Sequence, residues 1–349
     1  MFTCSAEKYA FLYDKENREE LLMKGVGNQR VKTVKAGELL YIASFPIWNT
    51  RAQAEQAKNA PRNAEAVRWV NVRNRRMRFE QIVHANFGRD DYYFTATYTE
   101  SPKGNRRLDE DYYRDEPQDE AEAQRNVRKF IRALRALVKR KGGEVKKLKY
   151  LYVTEETYTR HPDPAYDRAR YHHHMLITRE VGQDGAGNEI TLTRDEIERL
   201  WQDMPFASGR VRCDRLQPDK NSGLSAVAQY LMKQEKGETL VTEKGARKNQ
   251  HRYAGSKNLK KPEPTVADHK ISKRRVQRLA TDVRANAKDI FESLYPGYRL
   301  CEEPTVRTSD YVEGAYIYAK MIRKEKEGEK NERKKERAGQ ADHGAAGAD

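Results

Sequence analysis

KYLYVTEETYTRHPDPAYDRARYHHHMLIT, residues 149–178, decides how this chain folds. One end, KYLYVT (Lys149–Thr154), and the other, YHHHMLIT (Tyr171–Thr178), are rich in aromatic and branched residues and predict two neighbouring strands of a hairpin. Upstream, Val127, Phe130, Ile131, Leu134, Leu137 and Val138 recur at helical spacing, and Gly142-Gly143 stops that helix. Further upstream, YYFTATY (Tyr92–Tyr98) predicts another strand. Downstream come the turn QDGAGN (Gln183–Asn188) and a helix to Trp201 opened by a Thr193/Glu196 capping box. An alternating strand from Arg210 to Leu216 follows, then a helix from Ser222 to about Lys236.

In order this is β-α-β-β-α-β plus a helix, the α+β plan of a ferredoxin-like or RRM-like split βαβ. Such a fold has a central antiparallel sheet with two helices on one face, and leaves the other face to a ligand. The expected domains are a basic N-terminal region, 1–90, the central domain, 91–262, a small helical region, 263–323, and a disordered charged tail, 324–349. The N-terminal region contains short strands around Val31–Val34 and Leu39–Ile47, turned at Gly37, then a basic helix from Pro61 to about Ala85. Residues Ser272–Leu294 and Asp310–Arg323 are expected to be the helices of the C-terminal region.

Lys and Arg number 68 against 53 acids over 349 residues, a formal +15 that favours a polyanionic partner. Mean hydropathy is −1.03, so much of the chain is solvated surface. Cys4, Cys213 and Cys301 are far apart and form no CxxC pair. That argues against a disulfide framework or a thiolate zinc site and fits a reducing cytoplasm. The N-terminus has no apolar signal core and no run is long enough for a membrane span, so a soluble protein without membrane association is expected.

Side chains alternate across a strand, so His172 and His174 share a face and His173 takes the other. Two imidazoles side by side can hold one divalent metal, and a carboxylate from Glu155-Glu156 on the adjacent strand can complete the set. Two imidazoles, one carboxylate and open positions suit Mg²⁺ or Mn²⁺ in phosphate chemistry, with Zn²⁺ also compatible. In GLSAVAQYLMKQEK, Leu224, Val227, Ala228 and Leu231 form the packing stripe of a helix. Tyr230 lies roughly 110° from that stripe and Lys233 roughly 170°, so neither is a core residue. They are i, i+3 neighbours, and an ammonium beside a phenol stabilises the phenolate.

The ordered set FTATY (Phe94–Tyr98), YHHHML (Tyr171–Leu176) and YLMK (Tyr230–Lys233) resembles the three motifs of the HUH endonucleases. It is most similar to the rolling-circle replication initiators of small phages and plasmids. KYLYVTE, LTRDEIERLW (Leu192–Trp201) and HRYAGSKNLKKP (His251–Pro262) extend the likeness over Tyr92–Pro262. The resemblance implies that His172, His174 and Glu155 bind the metal, Tyr230 is the nucleophile and Lys233 its electrostatic partner. Thr95 and Thr97 share a strand face and would support the metal site. His173 departs from the usual hydrophobic middle residue, and Gln234 stands where phage relatives often have a second tyrosine.

The implied activity is a metal-dependent nucleotidyl transfer: single-stranded DNA is nicked at a replication origin, leaving a 5′-phosphotyrosine and a 3′-OH that primes a polymerase. Arg210, Arg212, Arg252, Lys257, Lys260 and Lys261 are the expected DNA contacts. There is no GxxxxGK, so helicase and polymerase would come from the host. A single-tyrosine transposase or relaxase would use the same chemistry. A non-catalytic RRM-like nucleic-acid binder would not need HxH and YxxK together, and a hydrolase using water would leave Tyr230 without a role.

Overall fold

The computed structural model describes residues 29–47, 64–98, 117, 119–159, 168–204, 209–232, 253–309 and 312–324. The expected tail beyond Lys324 lies outside them. Strands β1 (Gln29–Ala36) and β2 (Leu39–Pro46) come first, then helix α1 (Ala64–Asn86), β3 (Tyr92–Thr97) and α2 (Glu120–Arg140). Next are β4 (Tyr150–Thr159), β5 (Arg168–Ile177), β6 (Glu180–Gln183), β7 (Glu189–Thr191), α3 (Arg194–Gln202), β8 (Val211–Arg215) and α4 (Ser225–Leu231). The chain continues through β9 (Ala254–Gly255), β10 (Pro264–Asp268), α5 (Lys273–Thr281), α6 (Val283–Leu294), β11 (Tyr298–Leu300), β12 (Thr305–Ser309) and β13 (Val312–Arg323). It is a mixed α+β protein with antiparallel sheets, and contacts divide it into two compact units. One is Ala64–Pro262; the other joins residues up to Asn63 with those from Glu263 onward.

In the Ala64–Pro262 unit the sheet order is β8-β3-β5-β4-β9, every pair antiparallel. Both β3 and β4 run antiparallel to β5 between them, so helix α2 connects two parallel strands that are not neighbours. The apolar stripe of α2 buries Val127, Phe130, Leu134 and Val138 against Phe94, Tyr152 and Met175 of the sheet. Phe94 stacks on Phe130 at 5.2 Å between centroids, and Trp201 of α3 packs edge-on against both. Each such buried aromatic contributes about 1.5–3 kcal/mol by leaving water. The caps are those read from the sequence: Thr193 and Glu196 form the capping box of α3, and Gly142 (φ +79°) follows the end of α2.

The opposite sheet face is only partly free, contrary to expectation. Phe79, Val83 and Phe87 in and just after α1 join Leu224, Ala228 and Leu231 at α4 to bury Leu151, Val153 and Leu176. Helix α1 therefore belongs to this unit, and the boundary read near residue 90 falls at Ala64 by contacts.

The other unit is a sheet of order β10-β1-β2-β13-β11, with β12 also on β13, covered on one face by α5 and α6. Asp282 caps α6, so the helix read over Ser272–Leu294 is two helices. The helix read over Asp310–Arg323 is instead strand β13. Its Ala315, Ile317, Ala319 and Met321 are buried in alternation with half-buried Tyr316, Tyr318 and Lys320, a period of two. Pairing with β2 and β12 outweighs the helix propensity of its Ala, Lys and Met residues. The region expected to be helical is thus a helix pair plus strands that complete a sheet with the N-terminal ones. No described helix is long and apolar enough to cross a membrane.

Candidate metal centre and its tyrosine

Register places the site. Glu155 on β4 faces His172 on β5, which faces Thr97 on β3; one row along, Val153, His174 and Thr95 are aligned. These side chains share one sheet face, because residues two apart on a strand point the same way. Strand β4 runs past Thr154 to Thr159, so Glu155 and Glu156 lie within it and point to opposite faces. Glu156 pairs with Tyr171 and accepts a 3.4 Å hydrogen bond from its hydroxyl, whereas Glu155 stands with the histidines.

Glu155 Oε2 is 3.0 Å from His172 Nε2 and 3.1 Å from His174 Nε2. The two imidazoles hold the Glu155 carboxyl well below the usual carboxylate range. One ligand atom from each of the three residues lies within 4.8 Å of the others, so the group can hold a metal ion. Among the described residues this is the one such group of His, Cys, Asp and Glu. The donor set, two imidazole nitrogens and a carboxylate on adjacent strands, fits a divalent cation with open positions.

His174 is fixed from behind. Its Nδ1 is 2.8 Å from Tyr93 Oη and 3.2 Å from Thr95 Oγ1, and the Tyr93 ring stacks on it at 5.7 Å. Were Nε2 to hold a metal, the ring proton would sit on Nδ1, where these hydroxyls are placed to accept it and fix the ring's orientation. Burial, with the Tyr230 phenol second, pushes the Tyr93 hydroxyl up, so it stays protonated. Of the two threonines read as supports, Thr95 reaches the His174 ring, whereas the Thr97 hydroxyl donates to the Arg210 carbonyl at 2.8 Å. Tyr93 was not foreseen, although it shares the parity of Thr95 and Thr97 on β3.

Tyr230 stands beside this cluster. Its ring packs edge-on against His174 at 5.2 Å and Tyr93 at 6.4 Å, yet the residue is 49% exposed. Helix α4 is short and is held from both sides. Leu224, Ala228 and Leu231 pack on α1 and the sheet, while Ser225 hydrogen-bonds Glu80 of α1 and lies 3.5 Å from His84 Nε2. Gly223 turns the chain into α4 at φ +59°, and a Cβ there would fall 2.7 Å from the His84 ring. Lys233 and Arg252 lie outside the described residues. Tyr253, another tyrosine near the helix in sequence, packs edge-on against Phe79 at 4.8 Å.

His173 points the other way and is fully buried. Tyr152 Oη donates to Gln124 Oε1, and Gln124 Nε2 to Thr154 Oγ1. Thr154 Oγ1 is 3.0 Å from His173 Nδ1, and His173 Nε2 is 2.9 Å from Tyr98 Oη. A consistent direction runs through the chain when Thr154 donates to Nδ1 and Nε2–H donates to Tyr98. Burial pushes the His173 imidazole down to about 3, so it is neutral.

The other expected contacts divide between the sheet's edges. Arg212 lies opposite Thr95 on edge strand β8, exposed and 2.5 Å from Asp214, and Arg210 is exposed just before that strand. Lys257, Lys260 and Lys261 are exposed near β9, on the other edge. That segment is tied to the start of β4, through Ser256 to Tyr150 and Asn258 to Leu148, and so to the end away from Glu155. The structure brings together Glu155, His172, His174 and Tyr230, with the arginines nearer than the lysines. No protein-family model matches the chain, and no curated protein or solved structure matches it.

Proposed function

We propose that the Ala64–Pro262 unit is a metal-dependent nuclease that nicks and rejoins single-stranded DNA through Tyr230, in the manner of a rolling-circle initiator. The observation that carries this reading is the half-exposed Tyr230 ring 5.2 Å from His174, whose Nε2 belongs to the Glu155–His172–His174 group. A solvent-facing phenol against a metal-capable cluster has little use in packing and an evident one in transesterification. The strand order β8-β3-β5-β4, with α2 and α3 on one face, supports a ferredoxin-like split βαβ for the unit.

Glu155, His172 and His174 would hold Mg²⁺ or Mn²⁺, which when bound offsets charge on the non-bridging phosphate oxygens. Tyr230 Oη bonds to phosphorus as the bond from phosphorus to the 3′ oxygen breaks. The phenol gives up its proton and the departing 3′ oxygen gains one, leaving a 5′-phosphotyrosine and a 3′-OH. Because the phosphodiester is exchanged rather than hydrolysed, the same residue can return the strand to a 3′-OH. Tyr93 and Thr95 keep the His174 ring oriented throughout.

The test is incubation of the full chain with Mn²⁺ and end-labelled single-stranded DNA from its replicon, read on a denaturing gel. A protein–DNA adduct is expected, and its loss in a folded Tyr230→Phe variant. An undiminished adduct in that variant would remove Tyr230 from the reaction.

A further inference from the structure

The sheet of the terminal unit has a second face, opposite α5 and α6, buried at the end that carries Val34, Ala36, Leu39, Tyr41 and Ile322 and exposed in part at the other. Register aligns Val266, Lys32, Ala43, Tyr318 and Thr305 across β10, β1, β2, β13 and β12. The next row pairs Asp268 with Arg30 and Arg30 with Phe45, and Arg307 with Tyr316. The rings of Phe45, Tyr316 and Tyr318 are half-buried, Lys32 and Arg307 are exposed, and Val266 is 57% exposed. Among the described side chains of this face the charged ones are Arg30, Lys32, Arg299, Arg307 and Lys320, with Asp268 the single acid. Asp268 is matched by Arg30 at 2.7 Å, Lys320 lies 3.7 Å from Glu302 and Arg299 lies opposite buried Ile322, so Lys32 and Arg307 are the cations that flank the rings.

Half-exposed aromatic rings on the partly exposed end of a sheet face, flanked by cations, suit one kind of partner. Unpaired bases offer a flat apolar face to the rings, and the backbone offers regular negative charge to the lysine and arginine. A protein partner would be expected to meet a more apolar and less one-signed patch. We infer that this face binds single-stranded DNA, with bases stacking on Tyr316, Tyr318 and Phe45 and phosphates on Lys32 and Arg307. The choice of DNA over RNA rests on the activity proposed for the Ala64–Pro262 unit; the stacking platform itself does not. The chain then has two separate single-strand contacts, one for chemistry and one for retention.

The test uses the full-length Tyr230→Phe protein, so that strand cleavage cannot contribute, and an oligothymidylate carrying 5-iododeoxyuridine. Ultraviolet cross-linking and peptide mapping should recover adducts at Tyr316, Tyr318 or Phe45. By fluorescence anisotropy, a Tyr316→Leu/Tyr318→Leu double variant should bind the oligonucleotide at least about tenfold more weakly, whereas the matching Phe variant retains affinity. Lys32→Gln with Arg307→Gln should flatten the salt dependence of binding, a readout that does not depend on the Leu variant folding. Cross-links confined to Ala64–Pro262 would overturn the inference, as would equal competition by duplex or by oligouridylate. Absence of a covalent adduct with wild-type protein would count against the nicking reading and leave these readouts intact.

Discussion

The two faces of strand β5 use one residue type for opposite ends. His172 and His174 turn their Nε2 atoms to a shared carboxylate at a half-open surface. His173, between them, is sealed against Trp201 and Tyr98 with both ring nitrogens within hydrogen-bonding distance of neutral hydroxyls. The local sequence is the same; the surroundings differ. On one face an anion and open space keep the imidazoles available as ligands. On the other, desolvation and neutral partners make the imidazole a core residue that happens to be polar.

The largest effect should separate these faces. His172→Ala, His174→Ala and Glu155→Gln should each lower the proposed metal-dependent cleavage by on the order of 10³ or more, since a cation held there would supply several kcal/mol of charge stabilisation. Thermal unfolding should change little for His172→Ala and Glu155→Gln, whose side chains are half-buried, and more for His174→Ala, whose buried ring stacks on Tyr93. His173→Ala should do the reverse. It leaves a cavity against Trp201 and strips partners from Tyr98 and Thr154, costing about 2–4 kcal/mol of stability. Metal binding, followed by calorimetry with Mn²⁺, should survive in the folded fraction. Equal loss of metal binding in all three His variants, with no difference in stability, would break the distinction between the faces.

A finer cut lies behind His174. Tyr93→Phe keeps the stacked ring and removes the hydroxyl 2.8 Å from Nδ1. Affinity for Mn²⁺ should fall by about 10- to 100-fold, as when a partner that orients a metal-ligating histidine is deleted. Thr95→Val, removing the longer contact of 3.2 Å, should do less. Unchanged affinity in both variants would mean that the sheet alone fixes the imidazole.

Much of this was legible because strands have a period of two. The alternation in YHHHMLIT assigned His172 and His174 to one face and His173 to the other, and the helical wheel placed Tyr230 off its packing stripe. The choice between Glu155 and Glu156 was not legible, since it depends on how far β4 continues and in what register it meets β5. Tyr93 was hidden by YYFTATY, which carries aromatic residues on both faces of β3. Helix α1 conceals its role for a different reason: Phe79, Val83 and Phe87 are interleaved with buried Glu80, Gln81, His84 and Asn86. Those polar residues blur the stripe, and partners such as Ser225 and Lys260 become visible only once the chain is folded. Strand β13 shows the remaining limit, because its pairings with β2 and β12 are not local.

The smallest expected effect tests how tightly the core face is closed at its edge. Cys213 lies on edge strand β8, with its side chain turned to the core and its amide donating to Glu198 Oε1 at 2.7 Å. Burial first, and the nearby Glu198 and Asp214 carboxylates second, push the thiol from an ordinary 9.0 up to about 12. The reactive species is the thiolate, so a thiol so placed should resist iodoacetamide at mildly alkaline pH until β8 detaches. Half-buried Cys301 should be labelled faster, measured by mass spectrometry in a Cys4→Ser background. The sign of the pH dependence follows from the direction of the shift. Above pH 9 the unfolded chain releases this proton, while the folded chain holds it until about 12. Stability contributed by the buried thiol is therefore present below pH 9 and declines as pH rises through that window. The difference in urea midpoint between wild type and Cys213→Ala should narrow as pH is raised above 9. A gap that stays constant, or Cys213 labelled as fast as Cys301 under native conditions, would mean that the edge of the core face is open and the contrast between the two faces weaker than their burial implies.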